Sequence, residues 1–217
     1  MSFSGIPAAA LDFYEDLEAD NSRTYWMAHR DTYETAVRGP VTALAAALAP
    51  EFGEAKVFRP YNDVRFRRDK SPYKTHQGAV VHDGDGSGAL YFHVSAAGLF
   101  VAAGYHGMAA DQLERYRAAV DDDRRGADLE AAVDRVRAAG HGVGGDVLRT
   151  RPRGCPPDHP RLEWMRHRTL TAAHDFGAPA WLHTPEAAAA VARTWREMAP
   201  LNDWLREHVG ASALPRR

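Results

Sequence analysis

Sixteen consecutive residues, Arg59-Pro60-Tyr61-Asn62-Asp63-Val64-Arg65-Phe66-Arg67-Arg68-Asp69-Lys70-Ser71-Pro72-Tyr73-Lys74, hold six cationic side chains, two aspartates, three aromatics and two prolines. Guanidinium and ammonium groups at this density recognise multi-oxygen anions, and an aspartate that accepts an arginine fork fixes the donors around it. On an extended chain Asn62, Val64 and Phe66 fall on one side and Asp63, Arg65 and Arg67 on the other. The apolar pair is expected to anchor the segment while the charges project together. Pro60 and Pro72 stiffen both ends, which predicts an ordered loop or an edge strand. The expected ligand-binding set is Arg59, Asp63, Arg65, Asp69, Lys70, Tyr73 and Lys74. The competing reading is a salt-bridge knot that holds a long connection in place, because structural ion-pair networks also concentrate charge.

A second basic island carries Arg149, Arg151 and Arg153, then Gly154-Cys155-Pro156-Pro157-Asp158-His159-Pro160. Alternating arginines on an extended segment present their guanidinium groups to one side. Arg153 is therefore expected to join the first segment around a shared anion. If the ligand is also a substrate, Asp63 or His159 is the candidate acid or base of a hydrolase or transferase. Cys155, followed by two prolines and without a base identifiable nearby in sequence, reads as a passive thiol.

The chain resembles an uncharacterised family of bacterial and fungal proteins, the domain of unknown function 2461 family. That family shows an Arg-Asp-x-Arg-Phe-Ser-x-Asp-Lys-x-Pro-Tyr-Lys pattern, matched here at Asp63, Arg65, Phe66, Asp69, Lys70, Pro72, Tyr73 and Lys74. Residues 21–33 and the Pro152-Arg153-Gly154 and Asp158-His159-Pro160 blocks are similar too. The likeness implies one domain over residues 1–217. Asn62 stands where the family usually has Arg, and Arg67 where it usually has Ser. If the family shares one chemistry, those two positions are where this chain has altered it.

Other patterns point away from common chemistries. No serine-hydrolase elbow, phosphate-cradling Walker loop, His-Glu-x-x-His helix or paired-cysteine motif occurs. His76, His93 and His106 fall near one another in a strand-rich region, but their spacing is irregular for metal ligation. Asp83, Asp85 and Ser87 imitate the start of a calcium loop, yet its twelfth position is Val94 and strands are expected on both sides, so a hairpin turn is the reading. Asp121-Asp122-Asp123-Arg124-Arg125-Gly126 is expected to interrupt the helical pattern, with the Asp triplet in a solvated turn between helices. Gly140-His141-Gly142-Val143-Gly144-Gly145 follows a helix, whereas a dinucleotide fingerprint follows a strand, and it reads as a helix stop and loop. No metal and no cofactor are expected.

The net charge is −2 over 217 residues, but residues 56–76 carry +5 and residues 149–168 carry +4, against −11 elsewhere. Two basic islands in an acidic chain suit a local anion site ahead of a general nucleic-acid surface. A single cysteine fits a reducing cytoplasm, and neither a leader nor a membrane span is expected. A composition rich in Ala, Arg and Gly suggests a bacterial source.

Positioning these residues requires an α+β fold: N-terminal helices, a central antiparallel sheet, and C-terminal helices packed on one face. A helix is predicted from Pro7 to about Ala19 and another after Asn21 or Ser22. In the latter, Tyr25, Trp26, His29, Tyr33 and Val37 form one aromatic face that suits core packing, the other reading being that His29 and Tyr33 reach the ligand. A break or kink is expected at Gly39-Pro40, before a helix from Val41 to Ala49. Residues 77–82, 89–95 and 99–105 read as a meander, in which Leu90, Phe92 and Val94 alternate with Tyr91, His93 and Ser95, and Leu99, Val101 and Ala103 with Phe100 and Ala102. One face is expected to cover helices and the other to form the floor of a cleft. Helices are predicted from about Ala109, from after the Asp triplet to about Ala139, from Pro160 to Arg168 with Asp158 as cap, and after Thr184-Pro185. A strand is predicted over residues 169–176. Functionally, an anionic small molecule bound in a cleft is set against a nucleic-acid or protein interaction module, and against buried ion pairs with no ligand at all.

Overall fold

The computed structural model describes residues 2–65, 70–82 and 88–214. Phe66, Arg67, Arg68 and Asp69 of the basic segment, and the predicted turn at residues 83–87, lie outside the described residues. The chain divides into two compact units. Unit 1 comprises Met1–Val81, Tyr91–Val101 and Asp175–Arg193, and unit 2 comprises His82–Leu90, Ala102–His174 and Thr194–Arg217.

The fold is α+β, with helices before and after the strands in sequence. Helix α1, Ala8–Ala19, starts behind Pro7 and buries Phe13, Tyr14 and Leu17. Helix α2, Arg23–Thr32, is capped by Ser22, whose Oγ accepts the Tyr25 N–H at 3.1 Å. At Gly39-Pro40 the helix does not break. Pro40 has no N–H to give and its ring crowds the preceding turn, so Tyr33–Arg38 widens into a π-helix and the chain continues as α3, Gly39–Phe52. Trp26, Tyr33 and Val37 are buried, as core packing requires.

Six strands among the described residues form an antiparallel sheet: β1 Lys56–Val57, β2 His76–His82, β3 Ala89–Ser95, β4 Gly98–Tyr105, β5 Gly142–Gly144 and β6 Leu170–Gly177, in the order β1-β2-β3-β4-β6-β5. The predicted alternation holds in unit 1: Phe92, Val94, Leu99 and Val101 are buried, while Tyr91, His93, Ser95 and Phe100 are half-buried on the opposite face. The glycine-rich stretch at residues 140–145 is not simply a loop. Its central three residues form the edge strand β5, pairing Val143 with Ala172. So short a strand takes its structure from its neighbour and has no apolar pattern of its own.

In unit 2, α4 (Ala110–Asp121), α5 (Asp123–Ala138) and α7 (Glu186–His208) contribute Tyr116, Val120, Leu129, Val133, Met198 and Leu201 to one core. Ala103 of β4 with Leu170 and Ala172 of β6 enter the same cluster, so these helices cover one face of the strands. Two sequence expectations need correcting here. The helix expected from Pro160 to Arg168 is only α6, Leu162–Met165, and its cap position is Arg161 in place of Asp158. Gly126 does not interrupt a helix but lies buried inside α5, where a Cβ would stand 2.6 Å from Arg161 Nε. Bare backbone at that point is what lets Arg161 reach the Val120 and Asp123 carbonyls. No helix among the described residues is long and apolar enough to cross a membrane.

Candidate functional site

The described residues of the basic segment in unit 1, 59–65 and 70–74, are stitched to each other. Tyr61 and Tyr73 form an isolated antiparallel bridge, with Asn62 N donating to Pro72 O at 2.9 Å and Lys74 N to Pro60 O at 2.8 Å. The Asn62 side chain adds two bonds, from Nδ2 to Ser71 O and to Tyr73 O, each 2.9 Å. Asn62 is therefore a structural tie.

Both lysines point their ammonium groups at carbonyls of the same loop. Lys74 Nζ donates to Arg59 O at 2.9 Å and Tyr61 O at 2.6 Å, and Lys70 Nζ to Val64 O at 2.9 Å. Arg65 forks onto Asp63 through Nε at 2.9 Å and Nη2 at 2.7 Å. Those hydrogen bonds hold the Asp63 carboxyl far below the usual carboxylate range, with Arg59 adding a smaller effect. The fork stays in solvent, the Arg65 side chain 75% and that of Asp63 45% exposed.

Beneath the loop is an aromatic support. The Tyr73 ring stacks on Trp26 at 4.2 Å with an interplanar angle of 8°, and Tyr61, 48% exposed, packs at the edge of both. Tyr73 is buried and desolvation raises its hydroxyl pKa, so it serves as the anchor of the loop. Asn21, from the start of the helical region, pairs with both backbone polar groups of Tyr73. His29 stacks on Tyr25 at 4.0 Å, and Tyr33 donates from Oη to Gln77 Oε1 at 2.6 Å.

The loop leads into the face of unit 1 that carries Tyr91, His93 and Phe100. Tyr91, His93 and Phe100 are in ring contact there, Phe58 touching Tyr91 and His76 touching His93, with His93 stacked on Phe100 at 4.9 Å and 19° and Tyr91 tilted 58° and 62° to those two. Burial holds His93 down to about 4, neighbouring His76 adding to the effect, and desolvation followed by the Lys74 charge lowers His76. Both imidazoles are thus neutral at pH 7. No group of three metal-ligating side chains occurs among the described residues.

In unit 2, Arg149, Arg151 and Arg153 are all exposed, and Gly154 takes a positive φ of 83° as the turn requires. Cys155 is buried, in no disulfide, with Sγ toward Pro156 O at 3.6 Å. His159 is clipped at both ring nitrogens: Nδ1 accepts the Arg161 N–H at 3.0 Å, which leaves Nε2–H to donate to Asp121 at 2.9 Å. A groove of about 570 Å³ between α5 and α7 is lined by Asp128, Arg135, Asp203, Trp204 and Glu207. Its carboxylates outnumber its arginine, so it does not suit an anion.

Residues 9–204 match the profile of a family described as conserved hypothetical protein (DUF2461). The chain belongs to that family. No curated protein and no solved structure matches it. The match spans both units, and within it fall every candidate residue named above and the aromatic face that adjoins the loop.

Proposed function

We propose that Arg59, Arg65, Lys70 and Lys74 of the basic segment bind the phosphate or carboxylate of a small molecule. What supports this is the preorganisation of its charge. Lys70 and Lys74 are held by the loop's own carbonyls and Arg65 by the Asp63 fork, with Arg59 beside them in the same segment. An anion arriving at such a surface meets donors that have already lost their rotamer freedom, which lowers the cost of binding. The engagement of Asp63 with Arg65, and of His159 with Asp121, favours binding ahead of acid–base chemistry. Arg153 belongs to unit 2, and the proposal is confined to unit 1. Cys155, buried and outside any disulfide, agrees with a reducing cytoplasmic setting.

Thermal unfolding with inorganic phosphate, pyrophosphate and citrate tests the reading. The midpoint is expected to rise and saturate with at least one of them, and the rise to vanish in Arg65→Ala while the ligand-free midpoint stays put. Absence of any saturable rise would show the loop to be a salt-bridge knot. A response to long nucleic acid only, falling steeply with salt, would favour the interaction-module reading.

A further inference from the structure

We infer that His141 and His174 form a two-imidazole site for a divalent ion of the zinc class, with Glu197 holding His141 in the tautomer that coordinates. All three residues belong to unit 2, and the inference is independent of the anion reading of unit 1.

Backbone geometry brings the two rings together. Helix α5 stops at Gly140, whose positive φ of 90° lets its N–H reach Arg137 O at 2.9 Å and the His141 N–H reach Val136 O at 3.2 Å. This is the ordinary way a helix ends at glycine, and the residue just beyond, His141, is buried. Strand β5 begins at the next position and pairs Gly142 with Ala173, so one step back along the antiparallel ladder His141 stands opposite His174. Ala172, two residues before His174 on β6, packs in the cluster that holds Met198 of α7, and Glu197 is the neighbour of Met198 in that helix.

The contacts then decide which nitrogens face an ion. Glu197 Oε2 lies 2.9 Å from His141 Nε2, and since an ionised carboxylate only accepts, that nitrogen carries the N–H. The lone pair of His141 is therefore on Nδ1, which lies 3.0 Å from His174 Nδ1, the ring planes 85° apart. A single proton separates two imidazole nitrogens. A tetrahedral ion with bonds of about 2.0 Å needs such nitrogens about 3.3 Å apart, so the pair has to open by only about 0.3 Å to take one. On binding, His174 keeps one N–H, moved from Nδ1 to Nε2. A carboxylate on the far nitrogen is the usual support of a metal-bound imidazole, fixing its tautomer and raising its basicity.

A structural tie would not need the second ring. The bond from His141 to Glu197 by itself fastens the turn between α5 and β5 to α7, whereas His174 adds a nitrogen donor at the one place where the His141 lone pair points. The His141 side chain is 3% exposed, so its Nδ1 is shielded from bulk water, while His174 is half-buried and leaves an ion a route from solvent. Imidazole pairs suit zinc and its neighbours over magnesium and calcium, which take oxygen ligands. Two protein ligands leave the other positions to water, the open arrangement that distinguishes such a site from a closed four-ligand structural one.

The test is isothermal titration of the metal-stripped full chain with zinc chloride, and with magnesium chloride as control. Saturable binding of one zinc ion per chain, with no response to magnesium, is expected. His174→Ala should abolish that binding, and Glu197→Gln should weaken it about 10–100-fold. His106→Ala, at an exposed position, should leave it unchanged. Absence of zinc binding overturns the inference, as does binding that survives His174→Ala or disappears in His106→Ala, since the ion then sits elsewhere. An unchanged affinity in Glu197→Gln overturns the supporting role of the carboxylate. Long-range proton–nitrogen spectra of the wild type need no variant: the Nδ1 resonances of two histidines should move together until one equivalent of zinc is added. Movement of a single ring, or of Nε2 resonances only, overturns the paired site even if the variants fail to fold.

Discussion

Asn21 and Tyr73, 52 residues apart, are joined by a two-way amide clamp: Asn21 Nδ2 donates to Tyr73 O at 3.0 Å, and Tyr73 N–H donates to Asn21 Oδ1 at 3.1 Å. A side-chain amide here does what a neighbouring strand would do for the backbone. It fixes the loop at the residue whose ring stacks on Trp26, so the cationic segment is anchored through both its main chain and its aromatic side chain.

Removing the clamp should cost stability first. In Asn21→Ala the Tyr73 N–H is left in a largely desolvated position without its acceptor, at a cost of about 1–3 kcal/mol. Urea unfolding followed by tryptophan fluorescence measures this. A loss below about 0.5 kcal/mol would mean that water replaces the amide and that the loop is held by other contacts.

Protonation of His93 opposes folding. Its pKa in the folded protein is held down to about 4 from an ordinary 6.5, so between those values the unfolded chain binds more protons than the folded one. The stabilising effect of the neutral ring is complete above pH 6.5 and is lost as the pH falls toward 4. His76 and Lys74 oppose the proton on this face, and Asp175 favours it only in part. Comparing wild type with His93→Phe by urea unfolding at pH 7.5 and pH 5.0 cancels the titration of carboxylates elsewhere. The wild type should lose on the order of 1–2 kcal/mol more than the variant over that interval. Parallel pH profiles would mean that the ring is solvated.

Gly78 and Gly104 should respond differently to a methyl group. At Gly104, φ is +132° and a Cβ would stand 2.4 Å from Leu170 O, so both the backbone conformation and the main chain of β6 resist it. Gly104→Ala should destabilise by about 2 kcal/mol or more. At Gly78 the added carbon would meet only the end of the Tyr91 ring, which can lift away. Gly78→Ala should therefore stay within about 1 kcal/mol of wild type in stability. Calorimetric unfolding of the pair checks both halves.

How far the sequence carries the structure depends on whether a residue's role is periodic or reciprocal. The alternation of Phe92, Val94, Leu99 and Val101 against Tyr91, His93 and Phe100 is periodic, so the two faces of β3 and β4 are legible without coordinates. The residue composition of the segment from Arg59 to Lys74 likewise marks where charge concentrates. What it does not show is that Lys70 and Lys74 bind carbonyls of their own loop, because a lysine aimed at a backbone oxygen has no sequence partner. Gly78 and Gly126 are illegible for a related reason. Each makes room for one particular side chain, Tyr91 or Arg161, that is distant along the chain. The edge strand β5 borrows its hydrogen bonds from β6, and the π-helical turn before Gly39 is the local answer to Pro40 lacking an N–H, an outcome that sequence distinguishes poorly from a break.

His159 separates a structural role from a chemical one. Its side chain is 6% exposed, its Nδ1 receives the Arg161 N–H, and its Nε2–H is given to Asp121 at the end of α4. Arg161 extends the same knot by reaching Glu130 of α5 and the Val120 and Asp123 carbonyls. Both imidazole nitrogens are thus spent on holding the chain before α6 against α4 and α5. His159→Ala should destabilise unit 2 by about 1–3 kcal/mol, since it strands the Arg161 N–H, while leaving anion-dependent stabilisation at the unit 1 loop unchanged in size. His159→Asn, which can accept the same N–H, should recover part of the loss. Denaturant unfolding of both variants with and without pyrophosphate measures the two quantities together. A variant of wild-type stability that no longer responds to the anion would move His159 from the scaffold to the binding chemistry.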